Sequence, residues 1–284
     1  MPSSQQGTMP TNMKPDAAVE RLAAELRDTQ FAAELTPVFA RSRSASAARA
    51  AEIEAATLST LRQSSAFQSI RAAARASLPQ RDQAIAQARA AAGDPNLSVT
   101  GQTARAAEIT AMIAAVGERF DATAKQSGAR LRASAATPGL QSAPRAEWLT
   151  AEATFWAKYP HVPSAAILRE GAALLAVASD PKTPVEMQAR ANFLLQECIQ
   201  PAAERRATAP ESFARHLAPA YADLSDAVTG HLDVALGHVE HRAAQQVADQ
   251  VEGEAAFIVS LFADADADVT VLKIAAPTLL ADDE

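Results

Sequence analysis

The chain has little of what staples or turns most folds. It carries one cysteine, Cys198, so no intramolecular disulfide can form and a disulfide-stapled scaffold is excluded. Ten glycines and thirteen aromatic residues are spread over 284 positions. Strands want aromatic and β-branched residues and the tight turns that join them, so this poverty argues against a β-rich fold. Long apolar runs are missing as well. The longest apolar stretch, Ala255 to Ala263, spans nine residues and includes Ser260. A membrane-spanning helix needs about 20, so none is expected. The first fifteen residues are mostly Ser, Gln, Thr and Pro, without the apolar core of a cleavable secretory signal. The compact chemical motifs are absent too. There is no Gly-x-Gly-x-x-Gly, no phosphate loop ending in Gly-Lys, no His-Glu-x-x-His and no Gly-x-Ser-x-Gly.

What is present is alanine and arginine. Hydrophobic residues make up 48% of the chain, and alanine, the best helix former, supplies much of that figure. Arginine outnumbers lysine 21 to 5, which fits a genome rich in Ala and Arg codons as readily as a phosphate-binding role. The net charge of −7 divides unevenly. Residues 1–148 hold 17 basic against 13 acidic side chains, a net of +4; residues 149–284 hold 9 against 20, a net of −11. Such opposed halves favour head-to-tail association.

Periodicity predicts an all-α fold, with a long Ala-rich antiparallel hairpin followed by a helical bundle. Residues 1–13 read as a disordered tail. Residues 14–136 form an extended Arg- and Ala-rich region. Its first helix, Pro15 to Leu35, carries Val19, Leu22, Leu26 and Ala33 on one face, and Pro37 is expected to interrupt it. A long helix follows over Ser42 to Leu78, with Ile53, Leu58, Leu61, Phe67 and Ile70 in register, and Pro79 opens a shorter one. Gly93-Asp94-Pro95-Asn96 is a turn, and Thr100 to Ala136 is the second long helix, with Ile109, Met112, Ile113, Val116 and Phe120 as its stripe. Residues 137–144 form a linker. Beyond it Ile, Leu and Val become denser, 29 in 141 residues against 17 in 123, and both tryptophans and both tyrosines appear. Residues 145–262 are read as the bundle. Thr183-Pro184-Val185-Glu186 reads as a capping box, a helix runs to about Gln200 where Pro201 stops it, and another keeps its register from Pro219 to Val247. Phe257 to Phe262 and Val269 to Ile274 have strand-like composition, so residues 263–284 are expected to be an acidic segment with a short strand.

Several groups are candidates for chemistry, each with a plainer reading beside it. Asp264, Asp266 and Asp268 match the first three ligand positions of a calcium loop, but Val269 and Ala275 stand where it needs Gly and Glu; a polar turn is preferred. His238 and His241 are close enough along a helix to share an ion, without an evident third ligand; His231 is two turns from His238 and too far. Trp148, Glu152, Phe155 and Tyr159 fall on one helix face. A carboxylate among rings suits a general acid, but no second carboxylate is placed, and the stripe reads better as a core or partner anchor. The arginines from Arg41 to Arg105 are interspersed with acids and lack aromatic neighbours for stacking bases, which argues against nucleic acid. Cys198 lies in an apolar stretch and reads as core. No metal or cofactor is expected.

The expected function is therefore a non-enzymatic helical assembly or interaction protein of scaffold, virion-component or secretion-machinery type. It would be cytoplasmic or part of an assembled particle and would contact a protein partner or another copy of itself. The anchors expected for such contacts are Trp148, Phe155, Tyr159, Ile53, Leu61, Ile109 and Val116. The alternatives are a bacterial exported substrate read through its uncleaved N-terminus and a helical enzyme without a compact motif.

Overall fold

The computed structural model describes residues 17–135, 137–139, 145–158, 164–208, 215–262 and 274–280. Every element among the described residues is a helix: α1 (Ala17–Gln63), α2 (Ser65–Ala92), α3 (Val99–Ser134), α4 (Arg145–Lys158), α5 (Ser164–Ser179), α6 (Val185–Leu194), α7 (Gln200–Thr208), α8 (Ala218–Ala235), α9 (His238–Phe262) and α10 (Pro277–Leu280). The all-α expectation holds. Phe257 to Phe262, expected as a strand, is the last stretch of α9. Its Ile258 and Phe262 are buried in a helical core, and a short apolar run does not by itself separate strand from helix. Of Val269 to Ile274, only Ile274 is described, at the start of a helical turn.

The chain folds as two compact units, each assembled from two stretches: residues 1–48 with 140–236, and residues 49–139 with 237–284. One division falls inside the expected 137–144 linker. The others do not follow composition.

Two prolines expected to end helices do not. Pro37 lies inside α1 and Pro79 inside α2. An interior proline loses one backbone bond and clashes with the preceding turn, at about 3 kcal/mol. Packing overrides this at both places. Beyond Pro37, Phe39 is fully buried in the first unit, with Ala32 on its N-terminal side. Around Pro79, Leu78 and Arg81 are buried in the second, and Arg81 Nε donates to the Leu261 carbonyl at 3.1 Å, tying α2 to α9. The break comes instead at Ser64, inside the predicted Ser42–Leu78 helix. Ser64 is extended (φ −64°, ψ 150°), and its Oγ accepts from Phe67 N, so a serine N-cap ends one helix and opens the next.

The second unit is built on α2, α3 and α9, with α10 added. The turn between α2 and α3 forms as expected: Asn96 N donates to Asp94 Oδ1 at 2.9 Å and Ser98 caps α3. Phe67, Ile70 and Leu78 of α2 meet Ile109, Phe120 and Leu131 of α3 and Val251 and Ile258 of α9. Glu254, buried on α9, accepts the Leu279 N–H at 2.9 Å and so holds α10, whose Leu279 and Leu280 complete this core.

The first unit packs the N-terminal part of α1 with α4–α8 around Phe39, Leu168, Leu195, Ile199, Tyr221, Leu224 and Val228. Arg43 of α1 forms ion pairs with Asp223 (3.1 Å) and Asp226 (3.2 Å) of α8. The sharp start near Thr183 is real, but its capping box does not form. Pro184 is the cap residue and no side chain caps it; Gln188 Nε2 instead gathers the Asp180 and Thr183 carbonyls at 2.8 and 3.0 Å. Pro201 does not stop the helix either. Leu195–Ile199 widens into a π-turn, in which Gln200 N–H reaches back to the Leu195 carbonyl, and α7 continues through the proline. The predicted Pro219–Val247 helix is broken at Gly237, whose φ of 75° is left-handed and which separates α8 from α9.

Candidate functional site

On α4, Trp148 is half-buried with its ring 5.1 Å from that of Phe193, and Phe155 is buried with Trp156 edge-on at 5.1 Å. Of the other expected anchors, Leu61 and Ile109 are buried in the second unit, and Ile53 and Val116 are half-buried. Tyr159 lies outside the described residues, as do Asp264, Asp266, Asp268 and the tail from Met1 to Pro15. Most of the described anchors are thus already engaged by the chain's own core.

Cys198 sits in the π-turn, fully buried. Burial, reinforced by the Glu152 and Glu197 carboxylates, pushes its thiol up to about 12. At neutral pH it is a protonated apolar group rather than a nucleophile. Glu152 is half-buried on α4, and its carboxylate, like that of Glu197, acts on the buried Cys198.

The histidines are separated by the break at Gly237. His238 and His241 open α9, while His231 belongs to α8. His241 shares a 3.0 Å hydrogen bond with Gln245 through Nε2. Among the described residues, no three His, Cys, Asp or Glu side chains come together in a way that would hold a metal ion.

A polar constellation that joins three helices surrounds His231. Its Nε2 lies 2.8 Å from Asn192 Oδ1 of α6 and its Nδ1 lies 3.4 Å from Ser179 Oγ at the end of α5. An amide oxygen only accepts, so Nε2 carries the proton and Nδ1 faces the serine hydroxyl. Burial lowers the imidazole pKa and keeps the ring neutral. The order hydroxyl, imidazole, amide is that of a nucleophilic relay. The surroundings are those of a clip. Ser179 ends α5, at the negative pole of its helix dipole. The Asp180 N–H is bonded to the Ala176 carbonyl and the Thr183 N–H to the Asp180 carbonyl, so neither is available to an oxyanion. His231 joins α5, α6 and α8 by polar bonds inside an apolar core.

A groove of about 510 Å³ lies on the second unit among α2, α3 and α9. Ile85, Ile113, Gly117, Val259 and Phe262 form much of its wall, with Arg89, Glu118 and Asp121 at its edge. Asp121 is already paired with Lys125 at 2.7 Å. Such a groove can take an apolar group, with charged side chains beside it.

The arginines are largely committed. Arg43, Arg49 and Arg105 form ion pairs with acids of the chain, and Arg81 is buried. The opposed charge of the two chain halves also disappears on folding. Counted over the two compact units, the net charges are −3 and −4, because the basic α2–α3 stretch is joined to the acidic C-terminal stretch within one unit. Head-to-tail attraction between oppositely charged domains loses its basis.

What is left uncommitted is apolar surface. Val19, Leu22 and Leu26 are 59%, 63% and 60% exposed at i, i+3 and i+7 on α1. Leu149 and Trp156 are exposed at i and i+7 on α4, on a different side from Trp148 and Phe155. The α1 face is legible in the sequence as a stripe. The α4 pair obeys the same periodicity but competes there with the stronger aromatic row beside it. The His231 clip has no sequence signal, since its members are 39 and 52 residues apart. Compared with protein-family models, curated proteins and solved structures, the chain matches none. No helix among the described residues is long and apolar enough to cross a membrane.

Proposed function

We propose that this chain is a non-enzymatic helical assembly protein that works through exposed apolar helix faces. The observation that carries this reading is the grouping of exposed large apolar residues in helical register, Val19, Leu22 and Leu26 on α1 and Leu149 and Trp156 on α4. Scattered exposed leucines are ordinary; a row on one helix face is how helices present themselves to partners. Support comes also from the candidates for chemistry. Cys198 is desolvated, His231 is held as a clip, and the groove has largely apolar walls.

Light scattering behind size-exclusion chromatography, at low and high salt, tests the reading. Association through apolar faces should persist or strengthen at high salt. A monomer at both salts, at every concentration that stays soluble, would sink self-assembly.

A further inference from the structure

We infer that the groove among α2, α3 and α9 binds a small molecule that carries an apolar body and one positively charged amine, with the body against Ile85, Ile113, Val259 and Phe262 and the amine at Glu118 and Asp121. The exposed α1 and α4 faces take no part in this site, so it goes beyond the assembly reading and stands or falls separately.

The helices create the room. α9 ends at Phe262, while α2 and α3 run on toward the Gly93–Asn96 turn, so the last side chains of α9 form one end of the groove. Ala88, Ala114 and Gly117 give it depth. Its 510 Å³ is a volume typical of small-molecule sites, which span roughly 300–1,000 Å³. Gly117 is the informative residue, because a glycine inside a helix weakens it. Elsewhere on α3 a close approach accounts for one: a Cβ on Gly128 would stand 2.1 Å from Glu252 Oε1. A Cβ on Gly117 would meet nothing nearer than Phe262 Cβ at 3.6 Å, an ordinary contact. Helix packing therefore does not require glycine at this position. What a side chain there would take is groove space.

The charges at the edge select the ligand. Arg89 on α2 is already engaged within the chain. Asp121 on α3 is paired with Lys125, but that lysine is 73% exposed, and such a surface pair is weak and readily shared. Glu118 is exposed and in no ion pair among the described residues. Thr110, also on the wall, gives its hydroxyl proton to the Ala106 carbonyl at 2.9 Å. What remains for a ligand is therefore negative: an uncommitted carboxylate and a second one that can turn from Lys125, about one turn apart on α3 and next to Gly117. A carboxylate ligand would meet two like charges, and a neutral one would leave Glu118 without a partner. An ammonium attached to an apolar body satisfies the walls and the edge together.

The test is calorimetric titration of the full chain with three probes of one shape: phenylbutylamine, phenylbutanol and phenylbutyrate. The amine should bind about fivefold more tightly than the alcohol, with the acid weakest, as one exposed ion pair allows. It should also shift the methyl signals of Ile85, Ile113 and Val259 in NMR spectra. Glu118→Gln should bring the amine to within about twofold of the alcohol and leave the alcohol unchanged. Glu118→Lys should reverse the order of amine and acid. Gly117→Leu fills the groove and gains helix propensity, so it should weaken all three probes by about tenfold or more with unchanged circular dichroism. Should that variant not fold, the two changes at the exposed Glu118 still decide the matter. An acid that binds the parent as tightly as the amine overturns the charge assignment. A folded Gly117→Leu chain that binds the amine as the parent does overturns the location. No binding of any probe up to about 10 mM overturns the site itself. None of these readings depends on the mass of the protein in solution, so failure of this site and failure of assembly are told apart.

Discussion

The two compact units solve one problem, packing helices without strands or disulfides, in different ways. The first uses short helices around large side chains. Leu168, Leu195, Ile199, Tyr221 and Leu224 are all fully buried, and a neutral histidine clips three helices from inside. The second uses long helices around side chains just as large, Phe67, Ile70, Phe120 and Leu131 among them, and adds an arginine bridge between α3 and α9 at its edge. The cores are alike in composition; what differs is helix length and the polar tie, a buried neutral imidazole in one and a part-exposed charged fork in the other. Substitutions at these places should therefore separate the two units.

The largest expected effect lies in the first unit. Phe39 is fully buried beyond Pro37, and Phe39→Ala should destabilise by about 3–5 kcal/mol, read as a shift in the urea midpoint. If the shift is under about 1 kcal/mol, packing is not what carries α1 through its proline. The glycines sharpen the contrast. A Cβ on Gly171 would stand 2.7 Å from Leu224 Cδ1 and 3.2 Å from Ile199 Cγ2, both buried side chains with nowhere to go. Gly171→Ala should lose about 1–3 kcal/mol despite its better helix propensity. A Cβ on Gly128 would meet Glu252 Oε1 at 2.1 Å, the far end of a partly exposed side chain that can swing away. Gly128→Ala should change stability by less than about 1 kcal/mol. Equal losses at the two glycines would erase the distinction between the units.

Much of this was legible in the sequence, and the rest was hidden for physical reasons. Helical periodicity carried the fold class and the α1 stripe, and the turn residues Gly93-Asp94-Pro95-Asn96 carried the turn. The errors cluster where a local rule met tertiary packing. Pro37 and Pro79 look like stops, but Phe39 and Arg81 hold the helices together past them. Ser64 looks unremarkable in a run of helix formers, yet it caps α2. Gly237 sits inside a stripe whose spacing stays helical on both sides, so the register conceals the break. The charge asymmetry runs along the chain, whereas folding brings the basic and acidic stretches into one unit. The aromatic face of α4 was legible as a face, but periodicity alone does not say whether a face looks inward.

A smaller effect should separate the units by pH. His231 is the buried titratable clip of the first unit, and its folded pKa lies below the usual 6.5. The unfolded chain therefore binds the proton more tightly. The contribution of the neutral ring is fully present above about pH 6.5 and is lost as pH falls from there toward the lowered folded value, with a slope of at most about 1.4 kcal/mol per pH unit. Urea midpoints followed from pH 7.5 to about pH 5 should show that decline, and His231→Gln should remove this part of it. Amide exchange should show the change on α5, α6 and α8. If α2 and α3 lose protection instead, His231 is not the group responsible.

The smallest effect probes the second unit's edge, where the charge asymmetry of the chain is consumed. Arg132 of α3 holds Glu252 of α9 through two bonds, Nη1 to Oε1 at 2.7 Å and Nη2 to Oε2 at 2.9 Å, and Asp249 through Nη2 at 2.6 Å. Those carboxylates raise the arginine's pKa further, and the bidentate geometry suits a planar guanidinium and not an ammonium. The group is 37% exposed, so water and salt screen it, and Arg132→Ala should lose only about 0.5–1 kcal/mol at low salt. Arg132→Lys should recover less than half of that, because one ammonium cannot reproduce the fork. High salt should bring all three proteins together, since the interaction being removed is already screened. An Arg132→Ala loss that is undiminished at high salt would mean that the side chain acts through its packed stem rather than its charge, and the second unit would then resemble the first.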